Sequence, residues 1–145
     1  MKLTLFTDYA MRVLLYLGAR PERRCSIAEI ARAYRISQNH LMKVVNQLAR
    51  QGYVTSVRGR AGGIRLGRAP ETINLGRLIR DTEDGFDLVA CGRCVVAPAC
   101  GVTGVLGEAL AAFFAVLDKY TLADMLGRRQ DLRTLLLADV AMAEP

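Results

Sequence analysis

The chain has 145 residues, of which 52% are hydrophobic, and a formal net charge of +6. This length suits one domain, and no apolar stretch reaches the ~18 residues that a membrane span needs. The N-terminus lacks the pattern of a secretory signal peptide, so we expect a cytoplasmic protein whose cysteines do not form structural disulfides.

The charges are divided unevenly along the chain. Residues 1–70 contain 13 of the 20 lysine and arginine residues and 3 of the 14 acidic residues, a balance of +10. Residues 71–145 contain the other 7 and 11, a balance of −4. A basic first half with an acidic second half indicates a nucleic-acid-binding unit joined to a sensing or assembly unit.

Three helices are predicted before residue 51. Apolar residues recur at steps of three and four over residues 3–17, which predicts the first helix. The second helix, residues 26–34, begins with the capping-box sequence S-I-A-E, and the third follows over residues 37–50. Cys25 stands apart from the other cysteines, so we expect it to be a small packed residue.

The second and third helices are about three residues apart, which is the pattern of a helix-turn-helix. Amide side chains can pair with base edges, and lysine can reach phosphate or guanine. An ordinary amphipathic helix also has a polar side, so the pattern alone leaves that alternative open. The predicted DNA-reading residues of the third helix are Ser37, Gln38, Asn39, His40, Lys43 and Gln47.

A β-hairpin is predicted after the third helix. Residues 53–57 alternate as a strand, residues 64–66 return, and the sequence between them is R-G-R-A-G-G. Glycine allows a tight turn, while arginine can enter the minor groove or hold phosphate. We therefore predict a wing that contacts DNA through Arg58, Arg60 and Arg65. The segment lacks the G-K-[ST] ending of a nucleotide-binding loop.

A cysteine-rich segment lies in the second half of the chain. Cys91, Cys94 and Cys100 have the spacing C-x2-C-x5-C, and thiolates favour zinc, copper(I) or iron–sulfur clusters. A structural zinc site usually has four protein ligands, yet there is no second cysteine pair and the only histidine, His40, lies far upstream. An iron–sulfur cluster with one non-cysteine ligand therefore ranks first, zinc second and a loop without metal third.

A long apolar helix is predicted after the cysteines. Its apolar residues step by four and three, and they form more apolar surface than one small neighbour can cover. Burial against a second copy is the simplest solution, so we expect a homodimer. These residues are Leu106, Leu110, Phe113, Leu117 and Tyr120.

The predicted fold is mainly α with a small β-hairpin wing: a winged helix-turn-helix plus a long dimerisation helix. No function is predicted for the C-terminal tail, residues 127–145. The expected organisation is a DNA-binding domain (residues 1–80), a cluster loop (81–101), a dimerisation helix (102–126) and a C-terminal tail (127–145).

Several segments together resemble one family. They are L-T-L-F-T-D-Y-A at 3–10, N-H-L-M-K-V-V-N-Q-L at 39–48, G-Y-V-T-S-V-R-G-R-A-G-G-I-R-L-G at 52–67, the C-x5-C ending at 100, and Y-T-L-A-D at 120–124. Over residues 3–126 the chain resembles the NsrR branch of the winged-helix iron–sulfur repressors, a family that also includes IscR. The first cysteine spacing, two residues, is shorter than is usual in that family.

The resemblance implies a homodimeric repressor, not an enzyme, that binds a palindromic operator in double-stranded DNA and senses nitric oxide through an iron–sulfur cluster. It favours a 4Fe-4S cluster, with 2Fe-2S as the alternative, held by the three loop cysteines. It also implies that Asp8 of the partner subunit is the fourth ligand. The alternative for Asp8 is a surface ion pair with Arg12, and Glu83, Asp84 or Asp87 are other possible carboxylate donors.

Rival functions remain open at this stage. Within the sensor class, an iron-status or redox sensor with a two-iron cluster is the second choice. From other classes, a small electron carrier would need a cluster but no wing, and a zinc-stabilised DNA-binding protein would have no sensing role. A hydrolase or transferase is disfavoured because the single histidine lies on the polar side of the third helix and supports no obvious catalytic triad.

Overall fold

The structure is a computed structural model that describes residues 2–141. It confirms the predicted fold, which is mainly helical with a two-stranded hairpin. In the described part of the chain, no helix is long and apolar enough to span a membrane. The elements are α1 (Leu5–Ala19), α2 (Ile27–Tyr34), α3 (Gln38–Arg50), β1 (Val54–Val57), β2 (Gly63–Leu66), α4 (Leu75–Thr82), α5 (Val102–Leu117), α6 (Leu122–Met125) and α7 (Arg129–Ala141).

Side-chain caps fix where the early helices begin. The Thr4 hydroxyl accepts a hydrogen bond from the Thr7 amide at 3.3 Å, so α1 begins two residues later than the apolar pattern predicted. The capping box of α2 is confirmed: Ser26 Oγ accepts from the Glu29 amide at 3.1 Å, and Glu29 Oε2 accepts from the Ser26 amide at 3.0 Å.

The core lies where α1, α2, α3 and the hairpin meet, with α6 packed against α1. The inner side of α3 is formed by Leu41, Val44, Val45 and Leu48, all of which are buried as the sequence predicted. α1 continues through Gly18 to Ala19, whereas the sequence predicted an end at residue 17. Gly18 packs on Leu126, the residue after α6, where a Cβ atom would lie 2.5 Å from Cδ1, so glycine here serves close packing.

The hairpin gains a third extended segment from the loop before α2. β1 and β2 pair antiparallel, with Val54 opposite Leu66 and Val57 opposite Gly63. Cys25 exchanges two backbone hydrogen bonds with Ile64, at 2.9 and 2.8 Å. Cys25 is 1% exposed, and burial raises the pKa of its thiol to about 11, which confirms that it is a packed residue.

The apolar helix after the cysteines, α5, is shorter than predicted. α5 ends at Leu117, and the chain then turns to pair with the segment that leads into α4. The Leu75 amide donates to the Tyr120 carbonyl at 2.9 Å, and the Leu122 amide donates to the Ile73 carbonyl at 2.8 Å. Residues 102–126 therefore form two helices, because these bonds interrupt the helical ladder and bring α6 onto α1.

The predicted tail contains a further helix, α7, which packs against α1 and α2. Leu136 is buried and Leu132 packs on the core, whereas Leu135 is exposed. Residues 142–145, the end of the predicted tail, lie outside the described residues.

Candidate DNA interface and cysteine loop

The exposed side of α3 carries most of the predicted DNA-reading residues. Ser37, Gln38, Asn39, His40 and Lys43 are all exposed at the N-terminal end of the helix. The Ser37 hydroxyl makes no capping bond to α3. These side chains are therefore free to meet base edges or phosphates.

Gln47 is placed differently from the other five. It is half-buried, and its Nε2 lies 3.4 Å from the backbone carbonyl of Asp81, at the end of α4. In this arrangement its amide faces another part of the same chain. Its contact with DNA stays a prediction, and its observed partner is α4.

The turn between α2 and α3 is held by a left-handed residue. Arg35 has φ 54°, and the Ile36 amide donates to the Ala31 carbonyl at 2.9 Å. α2 is tied to the preceding loop by Glu29, which pairs with Arg23 at 2.7 Å. Burial opposes ionisation of Glu29, but the hydrogen bonds from Arg23 and Ser26 outweigh it and lower its pKa to about 2.

The wing presents three exposed arginines, as the sequence predicted. Arg58 and Arg60 lie in the turn, and Arg65 lies on β2 opposite Thr55. The structure adds Arg24, whose Nη1 donates to the carbonyl of Ala61 in the turn at 3.2 Å. Sequence reasoning missed Arg24 because no local pattern links residue 24 to residue 61.

Glycines let the wing turn close tightly. Gly59 has φ +104°, and the Gly62 amide donates to the Gly59 carbonyl at 2.9 Å. Gly63 has φ +131°, and a Cβ atom there would lie 2.9 Å from the carbonyl oxygen of Cys25. A side chain at this position would disturb the pairing between the wing and residue 25.

The cysteine loop connects α4 to α5 and contains two short 3-10 turns, Cys91–Arg93 and Ala97–Ala99. Cys91 opens the first turn and Cys94 follows it, with the Cys94 amide donating to the Cys91 carbonyl at 3.1 Å. Cys100 follows the second turn, and only Gly101 separates it from α5. All three thiols are free; Cys94 is exposed and the other two are half-buried.

The loop brings these thiols near one another in sequence but does not gather them at one point. Among residues 2–141, no three His, Cys, Asp or Glu side chains form a group that could hold a metal ion. The donor set nevertheless fits an iron–sulfur cluster, because the three thiols are unbridged and accessible. Val95, which follows Cys94, is 95% exposed.

The carboxylates considered as fourth ligands have different surroundings. Asp8 makes the surface pair with Arg12, with both carboxylate oxygens 2.9 Å from guanidinium nitrogens. Glu83 Oε1 accepts from the Thr4 amide at 2.8 Å and from its hydroxyl at 2.9 Å, so it holds the start of α1. Asp84 and Asp87 are exposed on the loop.

α5 is apolar but packs little against its own chain. Only Phe114 is buried, at 7% exposure, beneath Arg80 and beside Phe86. The predicted residues Leu106, Leu110, Phe113 and Leu117 are half-buried. Beside them runs an exposed stripe, which consists of Val105, Ala109, Ala112 and Val116 and is called the α5 stripe below.

A family model described as "Rrf2: Iron-dependent Transcriptional regulator" matches residues 3–128. The chain belongs to the Rrf2 family. It is therefore a DNA-binding transcriptional regulator rather than an enzyme, and its exposed α3 face and wing agree with that role.

Similar Rrf2 proteins agree on the branch and the fold. The "HTH-type transcriptional regulator NsrR" of Bacillus subtilis (strain 168) is 52% identical over 142 residues, covering 94% of this chain and 97% of the relative. The protein of the same name from Bacillus licheniformis is 49% identical, with coverage of 94% and 99%. These relatives confirm the resemblance to NsrR-type regulators.

Two solved structures share the architecture of this Rrf2 chain. IscR from T. potens superposes with a TM-score of 0.72 at 28% identity, covering 87% of this chain and 86% of that chain. CymR, the global cysteine regulator of B. subtilis, also gives a TM-score of 0.72 at 28% identity, with coverage of 86% and 95%. The winged-helix fold is thereby confirmed.

The wing of this Rrf2 regulator can be tested with Arg60→Ala. We expect weaker binding to every DNA sequence and a smaller dependence of affinity on salt, by about one unit of slope, because a phosphate contact is lost. Asn39→Ala should instead cost ~1–3 kcal/mol at particular base pairs. Fluorescence anisotropy with operator and scrambled duplexes at several salt concentrations measures both effects.

The matched control is Arg129→Ala, which removes an exposed arginine at the start of α7. It should leave the salt slope near that of the wild type. An Arg60→Ala protein with unchanged affinity and unchanged slope would show that the wing does not touch DNA.

Proposed function

We propose that this Rrf2 regulator is a homodimeric repressor that holds an iron–sulfur cluster and releases its operators when nitric oxide reacts with the cluster. The observation that carries the proposal is the cysteine loop: three free, accessible thiols lie between the DNA-binding unit and an exposed apolar helix. The similarity to regulators named NsrR supports the same conclusion.

The chain supplies the ligands. Cys91, Cys94 and Cys100 provide three thiolates, and the partner subunit's Asp8 provides a harder oxygen donor. We favour a 4Fe-4S cluster over 2Fe-2S. When bound, the cluster supplies iron with which nitric oxide reacts. The exposure of Cys94 and Val95 leaves the loop open to a small diatomic molecule.

Dimer formation is supported by the α5 stripe. Val105 is 66% exposed and Val116 is 52% exposed, although both are apolar and lie on a regular helix. A continuous apolar strip of this kind is typical of an interface, and a twofold dimer buries the same strip of both copies. The dimer would place two copies of α3 in successive major grooves, with half-site centres ~10 bp apart or a multiple of that.

The position of the loop suggests how a signal reaches DNA. Its last cysteine lies two residues before α5, and the segment after α5 is bonded to the start of α4 through the Tyr120 carbonyl and the Leu75 amide. When three thiolates bind one cluster, the loop is held together; without the cluster it is not. These two states restrain the start of α5 differently. A ligand that favours one state shifts the distance between the two DNA-reading α3 helices of the dimer.

The proposal is tested by strictly anaerobic purification. We expect a brown protein whose absorption and native mass spectra report an iron–sulfur cluster, and whose tight operator binding is lost after treatment with nitric oxide. A colourless protein with stoichiometric zinc would contradict the cluster. Operator binding that survives complete nitrosylation would contradict the sensing role.

A second candidate is a sensor of iron supply or redox state with a two-iron cluster. The description of the family as iron-dependent favours it. The same spectra separate the two candidates, because the second predicts a mass for two irons and two sulfides. It also predicts that operator binding follows oxidation or loss of iron rather than nitric oxide.

Asp8→Ala tests the fourth ligand. We expect a changed absorption spectrum and a changed rate of reaction with nitric oxide, because the carboxylate ligand is lost. Arg12→Ala is the matched control, since it breaks the ion pair with Asp8 but leaves the carboxylate in place. Equal spectra for the wild type and Asp8→Ala would remove Asp8 from the ligand set.

A mixed dimer tests whether the ligand comes from the partner. One chain carries Asp8→Ala and the other carries Cys94→Ser. If the ligand comes from the partner, the intact thiols of the first chain meet the intact carboxylate of the second, and one normal site remains. A mixed dimer with only the altered spectrum of Asp8→Ala would place any ligation within one chain.

A further inference from the structure

The last turn of α4 is bonded to the elements that read DNA. The Tyr53 hydroxyl donates to the Asp81 carboxylate at 2.7 Å, and Gln51 Nε2 donates to the backbone carbonyl of Asp81 at 2.8 Å. Gln47 Nε2 lies 3.4 Å from the same carbonyl. Gln47 lies in the last turn of α3, Gln51 directly follows the helix and Tyr53 lies just before β1. Asp81 therefore holds the point where α3 meets the wing.

The bond between Tyr53 and Asp81 is sheltered from solvent. Tyr53 is 1% exposed, and the Arg68 guanidinium lies over its ring at 4.5 Å from the centroid. Burial, followed by the hydrogen bond to Asp81, raises the pKa of Tyr53 to about 12, so the hydroxyl remains a donor at neutral pH. Arg68 also donates to the carbonyls of Gly52 and Gln51, which fixes the same short segment.

The two residues after Asp81, Thr82 and Glu83, bond to the start of α1. The Thr7 hydroxyl donates to the Thr82 hydroxyl at 3.0 Å, and the Thr4 amide donates to Glu83 at 2.8 Å. Three consecutive residues thus connect the reading helix and wing on one side to the start of α1 on the other. The chain then enters the cysteine loop directly.

We infer that Asp81 is a positioning residue for DNA reading, which sets the placement of α3 and the wing relative to the cysteine loop. Asp81 touches no DNA in this role; its carboxylate acts through Tyr53, and its backbone carbonyl holds Gln51. A displacement of the loop would pull on residues 81–83 and so alter the orientation of α3. The positioning role stands on these contacts alone, whereas the coupling to the loop rests on the proposed function.

The test uses Asp81→Ala, Tyr53→Phe and the double variant in the full-length protein. We expect each single variant to lower the ratio of operator affinity to random-duplex affinity about three- to tenfold, as for the loss of one hydrogen bond. The double variant should lose no more than Asp81→Ala alone, because both changes break the Tyr53–Asp81 bond and only Asp81→Ala also removes the pair with Arg77 at 3.0 Å. Glu71→Gln, an exposed acid before α4, is the charge control and should keep the wild-type ratio.

A merely structural role would give a different result. Asp81→Ala leaves the buried Tyr53 hydroxyl without its acceptor, which can destabilise the fold. Tyr53→Phe removes that hydroxyl and so provides a well-folded variant that lacks the same bond. Equal losses for operator and random DNA, or additive losses in the double variant, would overturn the positioning role. Thermal melts of each variant establish that the binding was measured on folded protein.

Hydrogen–deuterium exchange tests the coupling. Binding of operator DNA to the anaerobically purified protein should slow exchange in residues 83–101 more than binding of random DNA does, because coupling between two sites acts in both directions. Asp81→Ala removes the bond to Tyr53 but keeps the backbone bond to Gln51, so it should weaken this protection. A wild type without protection, or a variant with the full protection of the wild type, would overturn the coupling.

The two proposals fail in distinguishable ways. A wild type whose operator affinity is the same with and without the cluster would overturn the proposed sensing function. The specificity ratios of the Asp81 and Tyr53 variants would still decide the positioning role by themselves.

Discussion

Cys94→Ser and Cys100→Ser proteins should be purified without a cluster and should bind operator DNA no better than random DNA. Specific binding by DNA-binding proteins exceeds non-specific binding by about a thousandfold or more, so a loss of that order is expected. A serine hydroxyl is a poor substitute for a thiolate ligand of iron. Iron and sulfide analysis, together with operator titration under anaerobic conditions, measures both losses.

Cys25→Ser is the matched control, because Cys25 lies in the core and its contribution to the wing comes from backbone hydrogen bonds. It should retain both the cluster and operator binding. Cys91→Ser is expected to behave like the other loop variants. A Cys94→Ser or Cys100→Ser protein that kept a full cluster would show that the ligand set is wrong.

Charges placed in the α5 stripe should convert the dimer to a monomer. Val105→Glu and Val116→Glu each place a carboxylate at an apolar position that is exposed in the single chain, so the fold of the subunit should be preserved. In a dimer interface the same carboxylates would be buried without a partner, which is costly. Sedimentation should show a monomer, and operator affinity should fall steeply because each subunit then binds only a half-site.

Ala111→Glu is the control for this experiment. It adds the same charge to the same helix, at an exposed position away from the stripe and close to Glu108. It should remain a dimer with normal operator affinity. If Val105→Glu and Val116→Glu were still dimers at low micromolar concentration, the interface would have to lie elsewhere.

The DNA-binding unit could be predicted from the sequence because its signals are local. The capping box at Ser26, the inner residues of α3 and the glycine-rich wing turn are each read from a few neighbouring residues. Tertiary contacts decided the rest. α1 includes Gly18, where close packing on Leu126 leaves no room for a side chain, and α5 stops at Leu117 because the next residues pair with the segment before α4.

The polar network around α4 was also beyond local reasoning. Gln47 has the right spacing to face DNA with Lys43, yet its amide faces Asp81, more than thirty residues away. The cysteine loop could be predicted only in part. Its thiols are recognisable from their spacing, but the spacing does not determine how the irregular segment between α4 and α5 arranges them.

The contrast between Cys25 and the loop thiols has a chemical consequence. The thiolate attacks alkylating reagents and displaces their leaving group, so a buried thiol with a pKa of about 11 resists them while the wing is folded. In the cluster-free protein a brief treatment with iodoacetamide should add three labels, one at each loop cysteine. The fourth label should appear only as the edge formed by Cys25 and Ile64 opens, so its rate of appearance measures the unfolding of the DNA-binding unit.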